Sequence, residues 1–318
     1  PPPPPPPPKP TTTPHTRFGF KSRGLGDVYK RQLQECSDSW YPLALEVERA
    51  LLEGRDLAGC FLDFEKAFDL LPLHEIILPL ACRLGLPRYF VARLGSFYSK
   101  LVRYFKHAKV FGSAVASDRG IVQGCPISVV LLNLLVSVFM RLSNQEAPRV
   151  APRAYADDVS GSACCAAEVG HFLNLAGSFA EITRQRLKPK KCILWGTSEA
   201  IRADLASLRL SGTSLQIIPD VRYLGAQFGF HPGVPVVDRS HLLGVFTNTV
   251  QRAACLPLSA EDRAGLIAGA PIPKALHGCE LTSPEKSAFK KLRNVVINSD
   301  FLGRKGIIPE ILTIFFNQ

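Results

Sequence analysis

The sequence predicts an α+β fold, in which helices pack on an antiparallel sheet and a helical region follows. Three features of the chain predict it. Residues 57–64 form an almost unbroken apolar run with Asp63 near its C-terminal end, as expected of a strand covered on both faces. Short runs at residues 153–155 and 159–163 flank Asp157 and Asp158, which is typical of a tight β-hairpin. From residue 241 onward, helical segments prevail.

Apolar periodicity and the positions of Gly and Pro predict the other elements. Helices are expected at residues 43–52, 72–85, 87–100, 166–184, 241–254, 260–268 and 284–298, and a long apolar helix through residue 142 follows a Gly/Pro loop at 119–128. Paired strands are expected at residues 100–116, a single strand at 191–196 and a second hairpin at 215–230. Breaks at residues 231–235 and 269–273 set the last helices apart as a small appended domain.

Composition places the chain among ordinary globular proteins, because 46% of its 318 residues are hydrophobic and 20% are charged. The net charge of +11 suggests a polyanionic partner. Six Lys/Arg against one Asp give residues 1–32 a net charge of +5, however, so the remainder of the chain is only moderately basic.

Residues 1–32 begin with eight prolines and continue without helical or strand periodicity. We interpret them as a low-complexity tail of non-native origin and exclude them from the prediction of the fold. The alternative is a Pro-rich binding arm.

Nine cysteines show no metal-ligand spacing, and several lie in apolar runs. We expect them to be reduced and buried, the neighbours Cys164 and Cys165 included, in an intracellular protein of the nucleus or cytoplasm. The most apolar run, at residues 127–142, is interrupted by Asn133 and Ser137 and is too short to span a bilayer, so no membrane partner is expected.

Asp63, Asp157 and Asp158 are the candidate metal ligands. Aspartates are frequent in ordinary surface turns, so the Asp157-Asp158 pair alone is a weak signal. A third carboxylate at the end of a buried strand strengthens it, because the order of the elements allows Asp63 and the hairpin tip to be neighbours in one sheet. Three such carboxylates can hold two Mg²⁺ ions, with Mn²⁺ as an alternative, for an in-line displacement at phosphorus.

Five short motifs resemble those of the reverse transcriptases of non-LTR retrotransposons. In chain order they are Phe61-Leu62-Asp63-Phe64-Glu65-Lys66-Ala67-Phe68-Asp69, Gln123-Gly124-Cys125-Pro126-Ile127-Ser128 with Asn133, Tyr155-Ala156-Asp157-Asp158, Leu187-Lys188-Pro189-Lys190-Lys191-Cys192 and Tyr223-Leu224-Gly225. The resemblance implies a right-hand polymerase palm, an antiparallel sheet with packed helices, followed by a helical thumb. It divides the chain into the tail at residues 1–32, a palm with partial fingers at 33–234 and a thumb at 235–318.

The resemblance also implies roles for single residues. Asp63, Asp157 and Asp158 would bind the two Mg²⁺ ions together with the carbonyl oxygen of Phe64. Lys191, slightly favoured over Lys190, would protonate or neutralise the departing pyrophosphate, and a solvated basic face at residues 184–191 is the alternative. Phe68 would stack beneath the sugar and favour deoxynucleotides, although plain core packing explains it equally well.

Gln123 would contact nucleotide and template, and Gly124 would let the backbone come close; an amide that caps the following helix is the alternative for Gln123. Asp69 is expected to face away from the metals and to cap the helix after Pro72. Basic residues at 88–119, which have aromatic neighbours, and others in the thumb could line a duplex.

The implied activity is RNA-directed DNA polymerisation, with an RNA template, a DNA primer and dNTPs as partners and an unknown oligomeric state. Two departures qualify it: Val122 stands where the family usually has Arg or Lys, and little sequence precedes Asp63, so the fingers are expected to be incomplete. A group II intron type of reverse transcriptase is the nearest alternative, disfavoured by Cys125 in place of a second glycine. A catalytically decayed nucleic-acid-binding remnant is the other.

Overall fold

A computed structural model describes residues 36–107, 110–116, 119–233, 240–282, 287, 290–292, 294 and 295. The Pro-rich tail at residues 1–32 lies outside these residues, as does most of the expected helix at 284–298. Within the described residues the fold is α+β, as predicted: a five-stranded sheet carries helices on its faces, and helices follow it.

The central sheet has the strand order β4-β5-β1-β6-β9. Its strands are β1 (Ala58–Asp63), β4 (Ala151–Tyr155), β5 (Asp158–Ala163), β6 (Ile193–Gly196) and β9 (Gln216–Ile217). Strand β1 pairs antiparallel with both β5 and β6, and its first five residues are buried. The apolar run around residue 60 therefore forms the middle of the sheet, because only a strand covered on both faces can bury every side chain.

Three two-stranded ladders accompany the sheet. They are β2 (Val102–His107) with β3 (Val110–Ala116), β7 (Arg209–Leu210) with β8 (Thr213–Ser214), and β10 (Asp220–Tyr223) with β11 (Ala226–Gly229). The expected strands at residues 100–116 are confirmed, and the hairpin expected at 215–230 is shorter than predicted.

The described helices are α1 (Cys36–Leu52), α2 (Ala67–Leu70), α3 (Leu78–Arg83), α4 (Arg88–Ser99), α5 (Pro126–Glu146), α6 (Ala166–Ile182), α7 (Glu199–Leu205), α8 (Ser240–Ala254), α9 (Ala260–Gly269) and α10 (Pro271–Leu276). A π-helical turn at Leu73–Ile77 precedes α3, and a 3₁₀ turn at Cys279–Leu281 follows α10. Helix α7 was not predicted, and α10 occupies the expected break at 269–273. Pro271 is compatible with that helix because it stands at its first turn, where no backbone donor is needed.

Two cores lie on opposite faces of the sheet. One face of β1 and β5 presents Cys60, Leu62 and Val159 to a core shared with α5 and α6. The other face presents Phe61 to an aromatic cluster that includes Tyr223 and Trp195. Alternation along the strands divides the side chains between the two cores, and β1 ends and β5 begins at the rim that bears Asp63 and Asp158.

One prediction from composition, the burial of the cysteines, and one argument, the length of the apolar run, are wrong. Among the cysteines whose burial is described, Cys60 and Cys192 are buried, whereas Cys164, Cys165 and Cys255 are exposed. The vicinal pair is exposed because it lies in the turn before α6 and not inside the helix. Helix α5 has 21 residues and is long and apolar enough by length and composition to cross a membrane. The argument that this segment is too short therefore fails, although Leu131, Leu132, Leu135 and Phe139 on one face of α5 are buried in the main core.

Candidate active site

Asp63 and Asp158 face each other across the middle of the sheet. They are directly paired residues of the antiparallel ladder between β1 and β5, at the rim where β1 ends and β5 begins. Directly opposed residues of such a ladder have Cβ atoms about 5 Å apart. Two carboxylates 95 positions apart in the chain are thus brought together by strand register alone.

Asp157 lies in the tight turn of the same hairpin. Tyr155 pairs with Asp158, so Ala156 and Asp157 form a two-residue loop, and Ala156 has a φ of +55°. A left-handed conformation at a residue with a Cβ costs about 1–2 kcal/mol, so the surrounding sheet must hold this loop in place. Asp157 borders a small cavity of about 20 Å³ that is also lined by Phe64, Phe139 and Gln185.

The electrostatics of the rim are those of crowded, partly desolvated carboxylates. Burial raises the pKa of Asp157, and repulsion from Asp63 adds to the rise, while the backbone amide of Asp157 opposes it. For Asp158, desolvation, then repulsion from Asp157 and Asp63, raises the pKa to about 6, with Lys191 acting in the opposite direction. Negative charge at this rim is therefore unfavourable unless a cation neutralises it.

Lys191 supplies one such cation. Residues 186–188 run antiparallel to the end of β1: the Lys188 amide donates to the Asp63 carbonyl at 2.9 Å, and the Glu65 amide to the Arg186 carbonyl at 2.7 Å. A turn then brings the Lys191 ammonium within 3.6 Å of the Asp63 carboxylate. This pair of backbone hydrogen bonds uses the carbonyl oxygen of Asp63. It does not use the carbonyl oxygen of Phe64, which is the one predicted as a metal ligand.

The donor set suits a hard divalent cation, because three carboxylates meet where desolvation and mutual repulsion disfavour their charges. In the part of the chain that the structure describes, however, no group of three or more His, Cys, Asp or Glu side chains is spaced as a ready-made metal site. Asp63 is paired with Lys191. Asp63, Asp157 and Asp158 are the residues that would hold such a cation, although they are not arranged as a ready-made site.

Phe68 and Gln123 lie on two segments that are joined by backbone hydrogen bonds. The Ile121 amide donates to the Phe68 carbonyl at 2.8 Å, and Phe68 is partly buried against the main core. Gln123 and Gly124 occupy an exposed turn just before α5, where Gly124 has a φ of +101° that a residue with a Cβ would rarely adopt. The Gln123 amide does not cap α5 but donates to Asp69 at 3.4 Å.

The prediction for Asp69 is therefore wrong in part. Asp69 does not cap the turn after Pro72, where no side-chain cap bond is formed. It lies inside α2, and its two carboxylate oxygens face Gln123 and Arg103. The sequence places Asp69 six positions after Asp63, but the partners come from segments far along the chain, which no local pattern reveals.

Comparison with known families decides the identity of the fold. Residues 14–228 match the family described as reverse transcriptase (RNA-dependent DNA polymerase). The chain belongs to the reverse transcriptase family. This match covers most of the chain and spans all five motifs, and it begins inside the tail that we interpret as non-native.

Two solved structures are similar to this reverse transcriptase chain in overall fold. Telomerase from Candida tropicalis, in complex with a fragment of telomeric RNA, is 11% identical with a TM-score of 0.46, over 87% of this chain and 49% of that one. Telomerase from Candida albicans, in a similar complex, is 11% identical with a TM-score of 0.45, over 85% and 50%. The chain thus spans about half the length of these proteins. No curated protein matches the sequence.

One functional feature of this reverse transcriptase domain was missed in the sequence. Arg153 of β4 donates to Glu46 of α1 at 2.6 Å and to Ser162 of β5 at 2.8 Å, and Ser162 donates to the same Glu46 oxygen at 2.7 Å. This network fastens the Asp157-Asp158 hairpin to α1. Alternation of Asp158, Ser160 and Ser162 on one face of β5 is the only local signal, and it does not identify the partner helix.

Proposed function

We propose that this chain is an RNA-directed DNA polymerase of a retroelement, of the non-LTR type, that joins dNTPs to a primer 3′-hydroxyl on an RNA template. The observation that carries the proposal is the meeting of Asp63, Asp157 and Asp158 at one rim of the central sheet. Carboxylates crowded in this way are costly unless they serve a cation. Gly124-Cys125, where the group II intron type usually has two glycines, supports the non-LTR type over that alternative.

Asp63, Asp157 and Asp158 would hold two divalent ions, Mg²⁺ or Mn²⁺. Bound there, such ions would supply charge neutralisation at the phosphates and activation of the primer hydroxyl. Lys191, whose ammonium is already at the rim 3.6 Å from Asp63, is suited to donate a proton or positive charge to the leaving pyrophosphate. Phe68, a partly buried residue of α2, would form the rigid floor under the sugar.

Contacts with the template–primer duplex would come from the basic and aromatic surface of α4 and the β2–β3 hairpin. Arg88, Arg93 and Lys100 lie on or just after α4, where Tyr89 and Phe97 are exposed. Basic side chains that contact phosphates contribute affinity without sequence preference, and exposed rings can stack on bases. The basic residues expected in the thumb beyond residue 295 lie outside the described residues.

The test is primer extension by the 318-residue chain on an RNA template with dNTPs and Mg²⁺. Asp157→Asn keeps the shape of the side chain and removes its charge, so extension should fall by at least about 1,000-fold, as expected for loss of a metal ligand at the reacting centre. Asp204→Asn is the matched control, since Asp204 is exposed on α7 and outside the proposed site; its activity should equal that of the wild type.

Extension that is unchanged in Asp157→Asn would contradict the catalytic role of the rim. A wild-type chain that binds template–primer but extends nothing, with either Mg²⁺ or Mn²⁺, would favour the decayed nucleic-acid-binding remnant. Val122, an uncharged residue beside Gln123, is the feature of the site that favours this second candidate.

A further inference from the structure

A second polar cluster, outside the carboxylate rim, joins three segments of the fold. Asp69 of α2, Arg103 of β2 and Gln123 of the turn before α5 meet there. The Gln123 amide nitrogen lies 3.4 Å from Oδ2 of Asp69, and Nη1 of Arg103 lies 3.8 Å from Oδ1. Each carboxylate oxygen thus faces a different neighbour, which restrains the carboxylate from both sides.

The backbone around this cluster leaves little freedom. Amides of Gly120 and Ile121 donate to the carbonyls of Leu71 and Phe68 at 3.0 and 2.8 Å. Gly120 has a φ of +79°, and a Cβ there would lie 2.5 Å from the Asp69 carbonyl oxygen. The turn with Gln123 therefore lies directly on the segment with Phe68 and Asp69, and their separation is set by main-chain contacts.

Asp69 fixes which end of the Gln123 amide faces outward. An ionised carboxylate can only accept hydrogen bonds, so the NH₂ group of Gln123 must face it, and the amide oxygen must point away. A side chain without this restraint could rotate its amide and present either group. Arg103 assists, because a cation at the second oxygen keeps the carboxylate from turning towards water.

We propose that Asp69 is a positioning residue for nucleotide binding, which acts through Gln123 and does not itself touch the nucleotide. The inference rests on the proposed polymerase function, in which Gln123 contacts the incoming nucleotide. Phe68 and Gln123 then belong to one preorganised unit, and Asp69 sets the orientation of its polar member.

The first experiment measures the geometry without any need for activity. The side-chain amide signals of Gln123, assigned with Gln123→Ala in protein carrying ¹⁵N-labelled glutamine, should shift in Asp69→Ala and shift less in Asp69→Asn, which keeps one acceptor oxygen. Asp204→Ala is the matched control and should leave them unchanged. Gln123 signals that are identical in the wild type and Asp69→Ala would overturn the inference, whether or not the chain polymerises.

The second experiment is a double-mutant cycle on the KM for dNTP. Asp69→Ala should raise KM about three- to tenfold with kcat within about twofold, the size expected for one lost hydrogen bond. Asp69→Asn should recover part of the loss. Because Asp69 acts through Gln123, the same change in a Gln123→Ala background should have no further effect on KM.

Two results of this cycle would contradict the inference. One is independent, multiplicative effects of the two substitutions on KM. The other is a lower fraction of active enzyme in Asp69→Ala with an unchanged KM, which would indicate that Asp69 serves only folding. A wild-type chain without any extension would contradict the proposed function instead, and the amide signals alone would then decide the role of Asp69.

Discussion

The two long hairpins of this domain have the same antiparallel ladder but opposite surroundings. Hairpin β4–β5 pairs with β1, buries five of the six residues of β5 and is fastened to α1 through Arg153 and Glu46. Hairpin β2–β3 is a separate two-stranded sheet, and all seven residues of β3 are exposed. The loop with a strained Ala156 occurs in the first hairpin, where the surroundings can hold it.

This difference indicates where precision is needed. Carboxylates that must lie close together are found on hairpin β4–β5, which is held by its own ladder, by β1 and by α1. The exposed hairpin has Val110 and Phe111 on its surface and joins the site through the Arg103–Asp69 pair. Substitutions should therefore have large effects on stability in β4–β5 and small ones in β2–β3.

The largest effect is expected for Gly161→Ala in β5. A Cβ at this position would lie 2.8 Å from the Phe172 ring and 3.0 Å from Val150, so the close-packed interior has to shift. We expect a loss of about 2–3 kcal/mol in the free energy of unfolding, measured by urea denaturation. Gly177→Ala in α6 is the control, because its nearest neighbour is 3.8 Å away and it should not destabilise. Equal effects of the two substitutions would contradict the tight packing of β5.

Glu46→Gln should have the next largest effect. It leaves the guanidinium of Arg153, which is only 16% exposed, without its counter-charge. We expect a loss of about 1–2 kcal/mol in unfolding free energy, less than for a fully buried pair because Glu46 is 32% exposed. Glu48→Gln, on the exposed side of the same helix, is the matched control and should be neutral. A neutral Glu46→Gln would mean that α1 does not hold the hairpin.

Gln185→Leu should stabilise the protein. Gln185 is 5% exposed, and neither its amide nitrogen nor its amide oxygen has a hydrogen-bond partner among the described residues. It lines the small cavity beneath Asp157 together with apolar groups, so a leucine of similar size suits the site better. The free energy of unfolding should rise by about 1 kcal/mol. Gln145→Leu on the exposed surface of α5 should bring no such gain, and a loss in Gln185→Leu would reveal an unseen partner of the amide.

The sequence predicted the features of this site that neighbouring residues determine, and it missed those that depend on contacts between distant segments. Asp63 at the end of an apolar run and the paired aspartates of a hairpin are local patterns, and the central strand and the hairpin were predicted correctly. Glu46 and Arg153 are 107 positions apart, and a Glu in an amphipathic helix carries no mark of its partner. Asp69 was misjudged for a similar reason, since its partners Gln123 and Arg103 come from other segments, whereas the vicinal cysteines were misjudged because the turn before α6 was not recognised.

The pH dependence of stability offers a smaller effect at the rim. The pKa of Asp158 is raised to about 6 in the folded state. The stability that this carboxyl group contributes is therefore fully present at a pH below its pKa in the unfolded chain, and it is lost as the pH rises through 6. Asp158→Asn should thus be more stable than the wild type at pH 7.5 and lose this advantage gradually as the pH falls through 6 towards the ordinary value of 3.8. The difference should stay under about 1 kcal/mol, because Asp158 is more than a third exposed and solvent screens it. If the difference in melting temperature between the wild type and Asp158→Asn does not change with pH, the rim carboxylates do not repel one another as inferred.

The smallest effect is expected for Val115→Thr in the exposed strand β3, and it tests the comparison most directly when paired with Val159→Thr in β5. The two substitutions are chemically identical. Val115 is 45% exposed, so its hydroxyl can reach water and the free energy of unfolding should change by less than about 0.5 kcal/mol.

Val159 is 1% exposed in the main core, where a new hydroxyl has to be buried, and we expect a loss of about 1–2 kcal/mol. Urea denaturation of both variants measures the difference. If both variants lose a similar amount of unfolding free energy, another surface covers β2–β3 in solution. If neither variant loses any, β5 is more accessible to water than its burial implies. A large loss at Val159 alone is the result that follows if burial in the main core, and not the antiparallel ladder that both hairpins share, stabilises β4–β5.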